Sequence, residues 1–131
     1  MTDFSSALGV AASGMRAQAD RLRHVSENIA NADTPGYRRK VVQFELLRGA
    51  DTDTAGGVRT GRVTLDASPL PQIHDPGHPM ADETGHYLGT NVNLVVEIAD
   101  AREAQRSYEA NLRVFDQIRQ MSSSLNDLLR R

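Results

Sequence analysis

The feature that most constrains this chain is an apolar seven-residue repeat at each end. Leu8, Met15, Leu22 and Ile29 lie seven apart, and Phe4, Ala11 and Val25 form a second row interrupted by Gln18. Held over about four repeats, this spacing belongs to a helix that packs lengthwise along another helix. From Phe4 to about Asn31 such a helix would be roughly 42 Å long, with Thr2 or Asp3 as its cap. Gly9 and Gly14 fall in its first half. Each costs a helix about 1 kcal/mol relative to alanine, but lets a neighbouring backbone approach closely. The period resumes after Asn91 or Asn93, either a good cap. Leu94, Ile98, Ala101, Tyr108, Leu112 and Phe115 keep the repeat around a polar Gln105, and the stripe then slips to Ile118, Met121, Leu125 and Leu128. A slip of this kind changes the supercoil locally. Glu97 and Asp100 near its start, with Arg130 and Arg131 at its end, suit the helix dipole. This second helix would be roughly 55 Å long.

Aromatic residues make up 5% of the 131 positions and tryptophan is absent, so large anchors for a thick core are few. The expected fold is therefore mostly α: long N- and C-terminal helices packed as an antiparallel, coiled-coil-like pair, with a small irregular or β insertion between them. Residues 1–36 form the first helix and its terminating turn, 37–90 the middle segment, and 91–131 the second helix. The expected helix-packing residues are Leu8, Met15, Leu22, Ile29, Leu94, Ile98, Tyr108, Leu112 and Phe115. A two-helix pair buries only one face of each helix, so further contacts with other subunits are expected. Within the middle, "YRRKVVQFELL" reads as an extended strand or strand pair. Val58 to Leu65 suggests one short strand pair, and the stretch from Pro69 to Thr90 reads mostly as loop. The span from Gly49 to about Thr90 carries seven of the ten glycines and four of the five prolines.

"SENIANADTPGYRRK", Ser26 to Lys40, ends the first helix with unusual punctuation. Asn31 tolerates the left-handed conformation that often terminates helices. Thr34 precedes proline and is pushed away from helical geometry. Pro35 and Gly36 suit the central pair of a type II turn, where proline sets φ and glycine accepts the positive φ that follows. Asn28, Asn31, Thr34, Pro35, Gly36 and Tyr37 are the candidate turn and assembly residues. The amides of Asn28 and Asn31 either make the helix end simply polar or bond to backbone groups of the turn or of a neighbouring subunit.

Little in the chain points to chemistry. A formal net charge of −2 gives no footprint for nucleic acid or an anionic membrane. The one basic run, Arg38-Arg39-Lys40, reads as solvated. Without cysteine, disulfides, thiol catalysis and cysteine-based zinc sites are excluded. No segment approaches the roughly 20 apolar residues of a membrane span, and the N-terminus lacks the basic and apolar regions of a cleaved secretory signal. His74 and His78 stand four apart with His86, Asp75, Asp82 and Glu83 nearby. Pro76 and Gly77 deny that pair a helix, and gathering ligands would require the segment to fold back on itself. His24 reads as solvated on the polar side of the first helix. The carboxylates read as surface groups, and neither a phosphate-binding loop nor a nucleophile motif is present. No catalytic residue, cofactor, metal or small-molecule substrate is expected.

The segment "AASGMRAQADRLRHVSENIANADTPGY", Ala11 to Tyr37, resembles the N-terminal signature shared by the flagellar rod, hook and hook-associated proteins of bacteria. A second segment, Pro76 to Met121, with "HPMADETG" leading into "NVNLVVE" and "RSYEAN", resembles the proximal-rod members of that family. The resemblance implies a non-enzymatic axial subunit whose terminal helices pack in the wall of a helical tube. Implied partners are other rod proteins, copies of the same chain and, during secretion, the flagellar export apparatus. The implied location is the periplasmic rod of the basal body, reached without a cleaved signal peptide. It further implies that the Asn-Ala-Asp-Thr-Pro-Gly-Tyr segment sets how the terminal helix joins the next domain. A soluble coiled-coil binding module or export adaptor that never polymerises is the alternative.

Overall fold

The computed structural model describes residues 2–48 and 56–131; the part of the expected irregular middle over 49–55 lies outside them. Helix α1 spans Thr2–Ala30 and helix α2 spans Leu94–Leu129. They run antiparallel and face each other along their length. Asn28 meets Glu97, Arg21 meets Asp100, and the backbone at Gly14 lies against Asn111. Thr2 and Asp3 both sit inside α1, so neither is its cap. Asn93 caps α2, its side-chain oxygen accepting from the N–H groups of Val95 and Val96. Arg130 follows the last turn of α2 as its C-cap.

Among the described residues, six short strands lie between the helices: β1 (Lys40–Val41), β2 (Phe44–Leu46), β3 (Val58–Thr60), β4 (Thr64–Leu65), β5 (Gln72–His74) and β6 (His86–Leu88). Strand β1 pairs with β4 and β2 with β3, all antiparallel. Together they make one long interrupted hairpin whose outgoing arm is residues 40–46 and whose returning arm is 58–65. The register, Lys40 with Leu65 but Phe44 with Thr60, slips by one residue between the two ladders. The returning arm takes up the extra residue, as in a β-bulge. Of the run expected to be extended, Tyr37 to Leu47, residues 40–41 and 44–46 form strands. Val58–Leu65, however, does not pair with itself, because both of its halves pair with the earlier arm. Strands β5 and β6 form a separate hairpin inside the stretch read as loop.

The core is thin. Among the described residues the buried apolar side chains are Ala11, Ala17, Val25 and Ala104, and the largest wholly buried side chains are Glu97 and Asn28, each 0% exposed. Most domains bury leucine and phenylalanine and leave glutamate outside. This one does the reverse where its helices touch.

Candidate functional site: a buried polar lock and two open apolar rows

Asn28 lies in the last turn of α1, two residues before its end, and uses its whole hydrogen-bonding capacity. Its amide donates to Lys40 O at 3.0 Å and to Glu97 Oε2 at 3.3 Å. Its oxygen accepts from the Tyr37 hydroxyl and from the Lys40 N–H, both at 2.8 Å. One side chain thus joins the helix end, the turn, the first strand and the opposite helix. Asn31 acts locally: its amide donates to Glu27 O and its oxygen accepts from Thr34 Oγ1. The backbone that the Asn28 amide bonds to is that of Lys40, in the first strand of its own chain and beyond the turn.

The turn closes through a Tyr37 N–H to Thr34 O bond of 3.1 Å, with Gly36 at φ +77°. That bond and that φ are those of a type II turn. The Gly36 N–H is shared between the carbonyls of Leu88 and Gly89, which ties the turn to the β5–β6 hairpin. Asn31 does not adopt the left-handed conformation expected of it; among the described residues only glycines have positive φ. The helix instead tightens, with Asn31 N–H shared between Glu27 O and Asn28 O and Ala32 N–H on Ile29 O.

The basic run is not solvated. Arg39 Nε donates to the buried Glu97 Oε1 at 2.6 Å, and its terminal nitrogens lie 3.5 Å from Asp66 and 3.6 Å from Asp100. Lys40 Nζ pairs with Glu27 at 2.6 Å, and Arg38 donates to the carbonyls of Asp66 and Ser68. Asn91, which does not cap α2, accepts from the Arg39 N–H and donates to Asp66 O. Burial alone would lower the Arg39 pKa, but the hydrogen bond and charge of Glu97, with those of Asp66, raise it above its ordinary value. The hydrogen bond between Lys40 and Glu27 lowers the carboxyl and raises the amine. Burial pushes the Tyr37 phenol up.

Glu97 therefore belongs to this lock, although in the sequence it looks like a first-turn acid placed for the dipole. Its signal lies in position: it falls on the stripe that continues through Ala104 and Asn111, seven and fourteen residues on. His24 is likewise largely covered, with 12% of its side chain exposed beside Glu27. The histidine segment does fold back: β5 and β6 set His74 opposite His86 with ring centroids 4.7 Å apart, and His78 stacks on Tyr87. Among the described residues no group of three or more histidines or acids is placed to hold a metal ion. None of their helices is long and apolar enough to cross a membrane.

The expected packing residues divide in two. Leu8, Met15, Leu22 and Ile29 are half-buried, as is Phe115. Leu94, Ile98, Tyr108 and Leu112 are exposed. The least exposed line on α2 runs instead through Glu97, Ala101, Ala104, Asn111, Ile118 and Ser122. The reason is steric. At Gly14 an added Cβ would come 2.9 Å from Asn111 Nδ2, so small residues bring the helices together and the bulky ones stand out on the flanks.

Two family models match the chain: "Flagella basal body rod protein" over residues 8–38 and "Flagellar basal body rod FlgEFG protein C-terminal" over residues 83–128. The Agrobacterium fabrum flagellar basal-body rod protein FlgC is 45% identical over 99% of this chain and 98% of its own length. FlgC of Salmonella typhimurium is 34% identical over 86% of this chain and 87% of its own. FlgC of Buchnera aphidicola from Acyrthosiphon pisum is 35% identical over 86% and 88%. The chain belongs to the FlgC family of flagellar basal-body rod proteins, a family of structural subunits.

Proposed function

We propose that this subunit polymerises through its two terminal helices into the proximal part of the rod, and that torque passes from motor to hook through the interlocked helices. The observation that carries the proposal is the division of labour on α2. The side facing α1 is lined by small and polar residues, while Leu94, Ile98, Leu112, Met121 and Leu125 are left 40–54% exposed. A single chain gains nothing from rows of that kind, whereas a packed wall of helices buries them at about 25 cal/mol per Å². The buried lock at Asn28 and Glu97 gives each subunit one angle between its helical stem and its β segment. Torque transmission requires that angle to be the same in every copy.

On this reading the partners are other rod proteins and further copies of the chain. The chain crosses to the periplasm through the flagellar export apparatus as an unfolded polypeptide. So thin a core suits that passage, since little must be undone. The residues at the turn, Asn28 and Asn31 with Thr34 to Tyr37, act as the joint, and the exposed rows act as the packing surface. The test is a cryo-electron microscopy map of intact basal bodies from cells that build flagella with this chain. The expected result is density for α1 and α2 in the rod wall below the hook, with the α2 flanks covered by neighbouring helices. Basal bodies complete without this chain would overturn the proposal.

A further inference from the structure

Two segments distant in sequence, Thr34 to Tyr37 and His78 to Gly85, meet on one edge of the β5–β6 hairpin. Gly89 N–H donates to Pro71 O and Asp75 N–H to Gly85 O. The opposed pairs Gln72–Leu88 and His74–His86 are therefore the non-bonded ones, whose N–H and C=O groups point away from the partner strand. On β6 this turns His86 and Leu88 outward, along an edge that would otherwise stay open. The loop after β5 folds back over the first of them. Asp82 N–H donates to His86 O at 2.9 Å, and Asp82 Oδ1 accepts from the His86 N–H at 3.0 Å. The same oxygen accepts from the Thr84 N–H at 2.9 Å and from its hydroxyl at 2.7 Å. His78 stacks on Tyr87 with ring centroids 3.9 Å apart, which holds the loop down. At the end of this edge the carbonyls of Leu88 and Gly89 take the Gly36 N–H, each at 3.1 Å. The Gly89 carbonyl lacks a ladder partner because Pro71 opposite has no N–H to give. Gly36, Met80, Asp82 and Leu88 line one cleft of about 300 Å³.

Type I and type II turns differ by a half-rotation of the peptide between their two central residues, which sends the second residue's N–H to opposite faces. Proline suits the first central position of both, and glycine at the second is compatible with either. The closing bond from Tyr37 N–H to Thr34 O is also common to both. The type II form, with Gly36 at φ +77°, aims the Gly36 N–H at the carbonyls of Leu88 and Gly89; the type I form would aim it away. We propose that the β5–β6 hairpin is a strap that selects the type II form of this turn, and that Asp82 is the residue that positions the strap. The inference rests on the role of the joint proposed above and names what holds the joint in one conformation. Asp82 acts through the edge it covers: its bonds go to Thr84 and His86, and that edge carries the contact to Gly36. Tyr37 follows directly, and its hydroxyl is one of the two donors to the Asn28 oxygen. The strap thus reaches the buried lock through a single peptide.

Amide hydrogen exchange of the isotope-labelled free subunit, read residue by residue by NMR, tests the strap. Asp82→Ala removes the carboxylate, whereas Asp82→Asn keeps an acceptor oxygen in its place. In Asp82→Ala the Gly36 N–H is expected to exchange about tenfold faster, the equivalent of one lost hydrogen bond, and Asp82→Asn is expected to restore it. Val25 and Ala104, buried between the helices, set the baseline for any general loss of stability and are expected to hold. His78→Ala frees the same loop from Tyr87 and carries the test should Asp82→Ala not fold. Unchanged Gly36 exchange while the His86 N–H speeds up would overturn the strap. So would equal acceleration at Gly36, Val25 and Ala104, or Asp82→Asn behaving as Asp82→Ala does. In cells that build flagella with this chain, Asp82→Ala is expected to reduce swimming and Asp82→Asn to retain it. Faster Gly36 exchange with normal swimming would uphold the strap and overturn instead the role of the joint in the rod.

Discussion

Asparagine at position 28 has two donors and two acceptors, and the surrounding groups are two acceptors and two donors. No other residue type of that size matches them. Asn28→Ala strands the Lys40 N–H and carbonyl, the Tyr37 hydroxyl and one oxygen of Glu97. At about 1–3 kcal/mol for a strongly unsatisfied buried group, with partial rescue by water, the expected loss is about 3 kcal/mol. Asn28→Asp is expected to be worse, because it sets a carboxylate against Glu97; urea titrations followed by circular dichroism compare the two. Gly36 makes a different demand. Nothing lies within 4 Å of a Cβ built there, but its φ is +77°. Gly36→Val therefore meets backbone strain of about 1–2 kcal/mol and no clash. We expect it to abolish rod assembly and motility while export into the medium continues, as secretion assays and swim plates would show; normal swimming would contradict this account of the joint. The turn was readable from Thr34-Pro35-Gly36 because each residue has its own steric reason to be there. Glu97 was not readable, because an acid in a first helical turn looks the same whether it meets water or Arg39.

At the scale of elements, the two helices were legible to within a residue or two because a seven-residue period repeats over many turns. The runs that hold β1 to β4 read as extended, but their pairing did not, and the β5–β6 hairpin was missed, since two or three residues carry no alternation and pairing is set by a bulge and by contacts to α1. Val58 N–H on Ser13 Oγ and Thr60 Oγ1 on Asp20 hold β3 to the first helix. Which side of α2 meets α1 was misjudged for a related reason: pattern rewards large apolar residues, whereas close helix approach rewards small ones. That closeness is testable at Gly14. Gly14→Ala gains helix propensity of up to about 1 kcal/mol but drives a methyl group against Asn111. We expect it to lower stability, with Asn111→Ser in the same chain restoring at least the wild-type value; additivity of the two changes would show that the helices are not in close contact there. The loops carry a pH signature as well. The Asp66 carboxyl is held below its usual pKa by the Ser68 hydroxyl and N–H and then by Arg39, and Asp82 by the Thr84 hydroxyl and the His86 N–H. A lowered folded pKa stabilises fully above the unfolded value of about 4 and is lost as pH falls through the folded one. Lys40, raised by Glu27, contributes fully below about 10.5 and loses its contribution above. Stability is expected to be level from about pH 5 to 9 and to fall in acid. Asp66→Asn should lower the plateau and shrink the acid drop, as thermal melts across pH would record.

At the scale of the whole molecule, the polar lock lies at one end of the helix pair, and Met121, Leu125 and Leu128 stand exposed at the other. The locked end couples α1, the turn, β1 and α2. The far end of the helices is held by a few half-buried side chains and leaves Leu128 65% exposed. Opening free energy should therefore decline along the pair from Asn28 toward Phe4, as expected where buried apolar contacts are few. On the proposed packing the same rows are covered by neighbours in the rod, and the gradient should disappear there. Hydrogen–deuterium exchange read along α1 and α2, in the free subunit and in isolated basal bodies, compares the two states directly. This account predicts fast exchange over residues 2–12 and 114–129 in the free chain, slower exchange around Asn28 and Glu97, and uniform strong protection of both helices in the basal body. Equal protection of both helices in the two states, end to end, would contradict it.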